Sequence, residues 1–345
     1  MEEHVSEKIE WIVSLRAAAA IAVVLLHMTG GWLGTDWNNQ VLEPSRVILD
    51  EIVIQVLVRW AVPCFIMVSG ALLLDPQKKL NVSKLKGYIC RMTAVLGTFG
   101  LLYCFIEEFA KGNRNVISIA LTSARNLIEG NSWSHMWYVY MMLGLYLVTP
   151  VFRAFVRTAA REEIYLVLSA FFVLTITVPT INLWFSCRIT GLLPIASSSV
   201  FYYLMGWYLV NTDTDRGKMK RMLLLGAFGF VVMLLCKLRG ANVSVAQDNI
   251  CVCIYTTGLS GICKGSGLLK RLAGNRGVRE LAKYSFGVYI IHPFFLNVLN
   301  KGLDIYPDAL PIVIGETVFF LFALAGGFAG AWVLCRWKWF RKILT

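Results

Sequence analysis

The stretch Ser14–Met28, SLRAAAAIAVVLLHM, decides how the rest of the sequence is read. It is the middle of an apolar run over about 12–30, long enough to cross a hydrocarbon core of roughly 30 Å. Yet it holds an arginine, Arg16, and a histidine, His27, with only apolar residues between them. Ionisable groups at bilayer depth are costly, and where they persist they face the bundle interior and mark function. The two positions are eleven apart. That is close to three full helical turns, so both side chains share one face, about 16 Å apart along the axis.

Outward from this run the pattern repeats. Further apolar runs occupy about 52–74, 89–107, 133–152, 164–184, 192–210, 222–238, 248–264, 281–299 and 311–335. Of the 345 residues, 57% are apolar and 16% charged; soluble domains carry about 25% charged residues. The expected fold is all-α, a polytopic membrane bundle of about ten transmembrane helices in a single domain over 1–345. The first run is read as a retained helix rather than a signal peptide, because no small-residue cleavage site follows it.

A net charge of +12 could suggest nucleic acid, but its placement points to a lipid bilayer. With a cytoplasmic N-terminus and ten alternating spans, the inner segments hold 23 of the 33 basic residues and the outer segments eight. This bias predicts that both termini are cytoplasmic. Trp32, Trp37, Trp133, Trp137, Trp207, Trp332, Trp337 and Trp339 fall near span ends, as interfacial anchors do. The longest outer stretches are 31–51 and 108–132, the second with an amphipathic part, VISIALTSARNLIEG. Cysteines are scattered. Their one close pair, Cys251 and Cys253, points to different faces of a helix, so no metal site is read.

More ionisable residues sit at depth. Arg59 lies inside the second run, VRWAVPCFIMVSGALLL, four residues before Pro63. The proline withholds the hydrogen bond that the Arg59 carbonyl would accept, which predicts a kink there. His135, Trp137 and Tyr138 open the fourth run, and His292 with Tyr289 lies in the ninth, LAKYSFGVYIIHPFF. Glu316 lies about a third of the way into the tenth. Thus His27, His135, His292, Arg59 and Glu316 fall at similar depth in the outer half. Histidine exchanges protons near neutral pH, and a carboxylate beside it is a common orienting partner.

These blocks resemble the acyltransferase-3 family of integral membrane acyltransferases. LRAAAAIAVVLLH carries its Arg-x10-His pattern. RWAVPCFIMVSGALLL, HMWYVYMMLGLYLVTPVF, FYYLMGWYLV and YSFGVYIIHPFF are similar to its further blocks, in order and over essentially the whole chain. The HMWY-type block is most similar to the branch that contains the O-acetyltransferase of enterobacterial common antigen and the membrane domain of vancomycin-resistance serine racemases. The resemblance implies a ten-helix core in the cytoplasmic (inner) membrane. It implies transfer of an acyl group, usually acetyl, from cytoplasmic acyl-CoA to a hydroxyl of an envelope glycan or lipid-linked glycan. Acyl-CoA is then a co-substrate, with no bound cofactor. His27 matches the family's essential histidine and Arg16 the arginine tied to donor binding. Two features depart from the pattern. The extracytoplasmic hydrolase-like domain that some members carry is not expected here, and KLKGYICRM offers Lys86 and Arg91 in place of an Arg-x-x-Arg.

The physical reading runs alongside. The phosphates of coenzyme A suit a basic inner mouth with Arg16, Lys86 and Arg91 as candidates. The arm of the donor would reach about 16 Å along the bundle to His27, as base or acyl carrier. Arg59 would polarise the thioester carbonyl, and Glu316 would orient an imidazole. His135, Trp137, Tyr138 and His292 are candidates for an acceptor pocket, with aromatic faces suited to a sugar. The alternative is a transporter of a small polar solute such as an amino acid, for which mid-depth polar groups would serve as well.

Overall fold

The computed structural model describes residues 2–29, 54–78, 80–187, 189, 197–212, 215–239, 246–303, 305 and 310–345. The outer stretch 31–51 lies outside them, with Trp32 and Trp37. Among the described residues the elements are helices, with no strand. In chain order they are α1 (Glu2–Thr29), α2 (Gln55–Leu73), α3 (Val82–Ala110), α4 (Val116–Ile128), α5 (Ser134–Thr158) and α6 (Arg161–Trp184). Then come α7 (Ser198–Asn211), α8 (Arg216–Leu238), α9 (Ile250–Gly265), α10 (Gly267–Leu272), α11 (Arg276–Asn297), α12 (Ile312–Leu334) and α13 (Lys338–Leu344). Helices answer the demand of a bilayer, since each satisfies its backbone within itself.

Among the described residues seven helices are long and apolar enough to cross a membrane: α1 from Glu10, α2, α3, α5, α6, α8 from Gly217, and α12. The chain is therefore a polytopic helical membrane bundle. The described parts of the other three predicted runs are helical too. α7 and α9 have 14 and 16 residues. α11 has 22, but its first turns carry Arg276, Arg279, Glu280 and Lys283.

Helix starts follow short polar side chains that accept from the first free N–H groups. Asn81 accepts from Lys84 N, Asn115 from Ile117 and Ser118 N, and Asp215 from Lys218 N. Asn249 accepts from Cys251 N, and Asn275 from Gly277 and Val278 N. Gly112 and Gly130 follow α3 and α4 at φ of 90° and 78°, a region that costs a side chain energy. α2 is interrupted at Arg59–Trp60, where Pro63 leaves the Arg59 carbonyl without its donor. The ladder resumes with Cys64 N–H donating to Trp60 O at 3.0 Å.

The helices gather into two compact units. The first comprises Met1–Asp75 and Ala159–Gly330; the second comprises Pro76–Thr158 and Ala331–Thr345. In the first, α1 packs along α11 and α2, α2 against α7, and α8 against α9. Its core joins Trp11, Ile12 and Leu15 of α1 to Cys64, Val68 and Ala71 of α2, with Val210 and Cys263. Small residues let backbones meet, as membrane interfaces require. Gly70 lies against the Tyr203 backbone and Gly206 against that of Met67, while Gly226 of α8 faces Gly258 of α9. Lys264 Nζ donates to Leu209 O at 2.8 Å and to Thr212 O, a cation on the negative end of α7. Trp207, expected as an interfacial anchor, is instead buried in α7, because it sits one residue from that close crossing.

In the second unit α3 packs against α4, α5 and α13. Arg91 Nε donates to Ile343 O at 3.0 Å, tying α13 to α3. Tyr140 Oη donates to Leu127 O at 2.5 Å.

Candidate active site

α1 and α11 lie side by side, and α1 uses its Arg16/His27 face for the contact. Arg16 Nη2 donates to Ser285 Oγ at 3.1 Å, and Ser285 Oγ donates to Ala282 O at 2.8 Å. Farther along, His27 Nδ1 and His292 Nε2 share a hydrogen bond of 2.8 Å. The two rings have centroids 5.0 Å apart at 16°. His292 Nδ1 bonds the Val288 carbonyl, one turn back on its own helix, at 2.8 Å. Contacts thus advance in the same chain direction on both helices, from Arg16/Ser285 to His27/His292. The shared face read from the spacing of eleven is the face that meets α11.

The surroundings of the pair come from α2, α11 and α12. Gln55, 1% exposed, donates from Nε2 to Leu26 O at 3.0 Å and to Thr29 Oγ1. Its Oε1 accepts from Arg59 Nη2, so the guanidinium is linked to the carbonyl just before His27. Arg59 Nε is buried with no hydrogen-bond partner among the described residues. The Tyr289 ring lies 6.0 Å from that of His27. Gly327 of α12 backs His292, where a methyl group would come within 3.1 Å of its Cβ. His292 is fully buried, whereas His27 keeps a partly open surface. Glu316 is 6% exposed on α12 of the same unit.

The remaining candidates belong to the second unit. Lys86 is exposed, and Arg91 is engaged with Ile343. His135, 3% exposed, has its ring 5.5 Å from that of Tyr103, which stacks on Trp133 at 4.2 Å and 2°. Trp133, expected to anchor at an interface, is therefore part of an aromatic stack. Trp137 is 41% exposed and meets buried Tyr138 edge-on. The structure thus brings together Arg16, His27, Arg59 and His292 in one unit. It adds two residues that sequence reasoning missed, Gln55 and Ser285. A cavity of about 300 Å³ in the first unit lies among Leu168, Phe172, Phe201, Met205, Met222 and Ile254. It is apolar and holds none of the candidates.

A partly open imidazole hydrogen-bonded to a second imidazole, beside a half-buried guanidinium, defines a membrane protein whose ionisable groups are grouped inside a helical bundle. The acyltransferase-3 family profile, described as an acyltransferase domain, matches residues 9–336, and the chain belongs to that family. It is a membrane acyltransferase. No curated protein matches the chain. No solved structure matches it either.

Proposed function

We propose that this acyltransferase moves an acyl group, acetyl by preference, from cytoplasmic acyl-CoA to a hydroxyl of a cell-envelope glycan or lipid-linked glycan, with His27 as base. The observation that carries the reading is the pairing of His27 with His292 beside Arg59. A proton acceptor and a fixed cation occupy one half-buried place, as acyl transfer needs. Family membership supports the reaction class. The HMWY-type block supports an envelope acceptor by its branch resemblance.

In this reading His27 takes the proton of the acceptor hydroxyl. The oxygen attacks the thioester carbonyl carbon, and Arg59 stabilises the oxyanion. The C–S bond then breaks, and the thiolate of coenzyme A takes the proton back from the imidazolium. Arg16, eleven positions before His27 on α1, serves the donor phosphates. Glu316 supplies buried negative charge to the first unit.

The test is label transfer from acetyl-CoA in inverted vesicles. Wild type is expected to consume the donor. His27→Ala is expected to lose about 10²–10⁴-fold in rate at normal membrane expression, the span for one general base. Arg16→Ala is expected to raise the donor KM more than it lowers kcat. If His27→Ala keeps full activity, the reading fails. If wild type spares a panel of acyl-CoAs but moves a polar solute across the vesicle membrane, the protein is a carrier.

A further inference from the structure

We infer that His292 is a positioning residue that fixes which nitrogen of His27 accepts the proton: His27 is held with hydrogen on Nδ1, leaving Nε2 as the base. The argument starts at the Val288 carbonyl. A backbone carbonyl can only accept, so His292 Nδ1, 2.8 Å away, carries a hydrogen. A neutral imidazole has one N–H, so His292 Nε2 is a lone pair. That lone pair faces His27 Nδ1 at 2.8 Å, so His27 Nδ1 is the donor of the shared bond. The basic nitrogen of neutral His27 is then Nε2, on the opposite edge of the ring. The chain reads Val288 C=O, H–Nδ1 His292 Nε2, H–Nδ1 His27 Nε2.

The opposite polarity would require His292 to be an imidazolium donating from both nitrogens. That places a second standing cation, on a fully buried side chain, close to Arg59. Burying a second ion beside the Arg59 cation costs both desolvation and like-charge repulsion. Arg59 from α2 reaches the pair through Gln55, the Tyr289 ring of α11 lies beside His27, and α12 buries the Glu316 carboxyl in the same unit.

The arrangement does for His27 what a carboxylate does in a catalytic triad. It locks the ring and its tautomer through the nitrogen that does not react. When Nε2 takes a proton, Nδ1–H stays bonded to His292, and that bond becomes charge-assisted, hence stronger. The device uses a neutral partner, so it brings no ion of its own into the bundle. His292 is itself held from three sides. Its carbonyl anchor is on its own helix, Gly327 backs its Cβ, and His27 occupies its far nitrogen.

The consequence for rate rests on the proposed reaction, but the tautomer does not, and the experiment separates them. The chain has four histidines, His4, His27, His135 and His292, so ring-¹⁵N labelling gives a spectrum assignable by single substitutions. In wild type, His27 and His292 are each expected to show a protonated Nδ1 and a bare Nε2. In free histidine the other tautomer predominates. In His292→Phe, His27 is expected to revert to the Nε2–H form, and in His292→Gln an amide oxygen keeps Nδ1 protonated. Turnover should fall by about 10²-fold or more in His292→Phe with donor KM unchanged, and recover in part in His292→Gln. A wild-type spectrum with Nε2–H on His27, or a doubly protonated His292, overturns the inference whatever the activity. Full kcat in His292→Phe with the tautomer reversed overturns the positioning role. The expected spectrum without donor turnover in wild type leaves the tautomer standing and removes the proposed reaction.

Discussion

The Gln55 side chain joins three positions at once: the Leu26 carbonyl, the Thr29 hydroxyl and the Arg59 guanidinium. Each amide atom has a distinct task, so the orientation of Gln55 is fixed by what it touches. Replacing it by leucine keeps the volume and removes all three bonds. Gln55→Leu is expected to lower stability by about 1–3 kcal/mol, because a buried charged group loses a partner. Turnover should drop with it, while Gln55→Glu, which keeps an acceptor for Arg59, retains more of both. Thermal unfolding in detergent and donor consumption on the same preparations check this. Arg16 and His27 were legible from sequence because two basic groups in an apolar run stand out and their spacing fixes a common face. Gln55 and Ser285 were not. A single neutral polar residue in a span is common, and periodicity gives a face but not the helix that meets it. The available signal was that Gln55 lies one turn before Arg59.

At the scale of helices, the α2–α7 crossing is set by Gly70 and Gly206, each against the other helix's backbone. Backbone cannot swing aside as a side chain can. Gly206→Ala is expected to cost about 1–3 kcal/mol, and Gly206→Leu to abolish folded protein, read by size-exclusion profile and thermal unfolding. The start of α8 has a pH signature. Lys218 N–H donates to Asp215 at 2.7 Å, and this bond holds the Asp215 carboxyl below its ordinary value of about 3.9. A depressed carboxyl stabilises the fold above the ordinary value, and the contribution disappears as pH falls through the folded value. Unfolding scans from pH 7 to pH 3 should show the advantage of wild type over Asp215→Ala shrinking at the acid end. Asp215→Asn, an uncharged cap of similar quality, should shrink less. Helix bodies were legible because burial in lipid demands long apolar runs. Ends were less so. α3 begins at Val82 rather than near 89, because Asn81 caps a stretch, VSKLKGYIC, whose polar content hides it from hydropathy.

For the molecule as a whole, charge is the organising quantity. Basic residues cluster between alternate spans, a pattern that predicts both termini and the 76–88 segment on the cytoplasmic side. Reporter fusions after Thr345 and after Lys78 are expected to be active only with a cytoplasmic reporter. An extracytoplasmic signal at either would overturn the orientation and, with it, the assignment of Arg16 to the donor side. The sequence reads as one domain over 1–345, and within it the described helices gather into two compact units. Nothing in linker composition announces that division. It arises because α13 returns to α3 through Arg91 and Ile343, a contact spanning 252 residues.

The parallel course of α1 and α11 turns the interval between Arg16 and His27 into a matter of rotational phase. Each residue turns an α-helix by about 100° and lifts it about 1.5 Å. One alanine added between Ala19 and Ala20 leaves composition, hydropathy and span length nearly unchanged. It nevertheless rotates Arg16 and His27 out of step, so that only one can still address α11. A chain with that single insertion should enter the membrane normally and keep either its Ser285 contact or its His292 contact, never both.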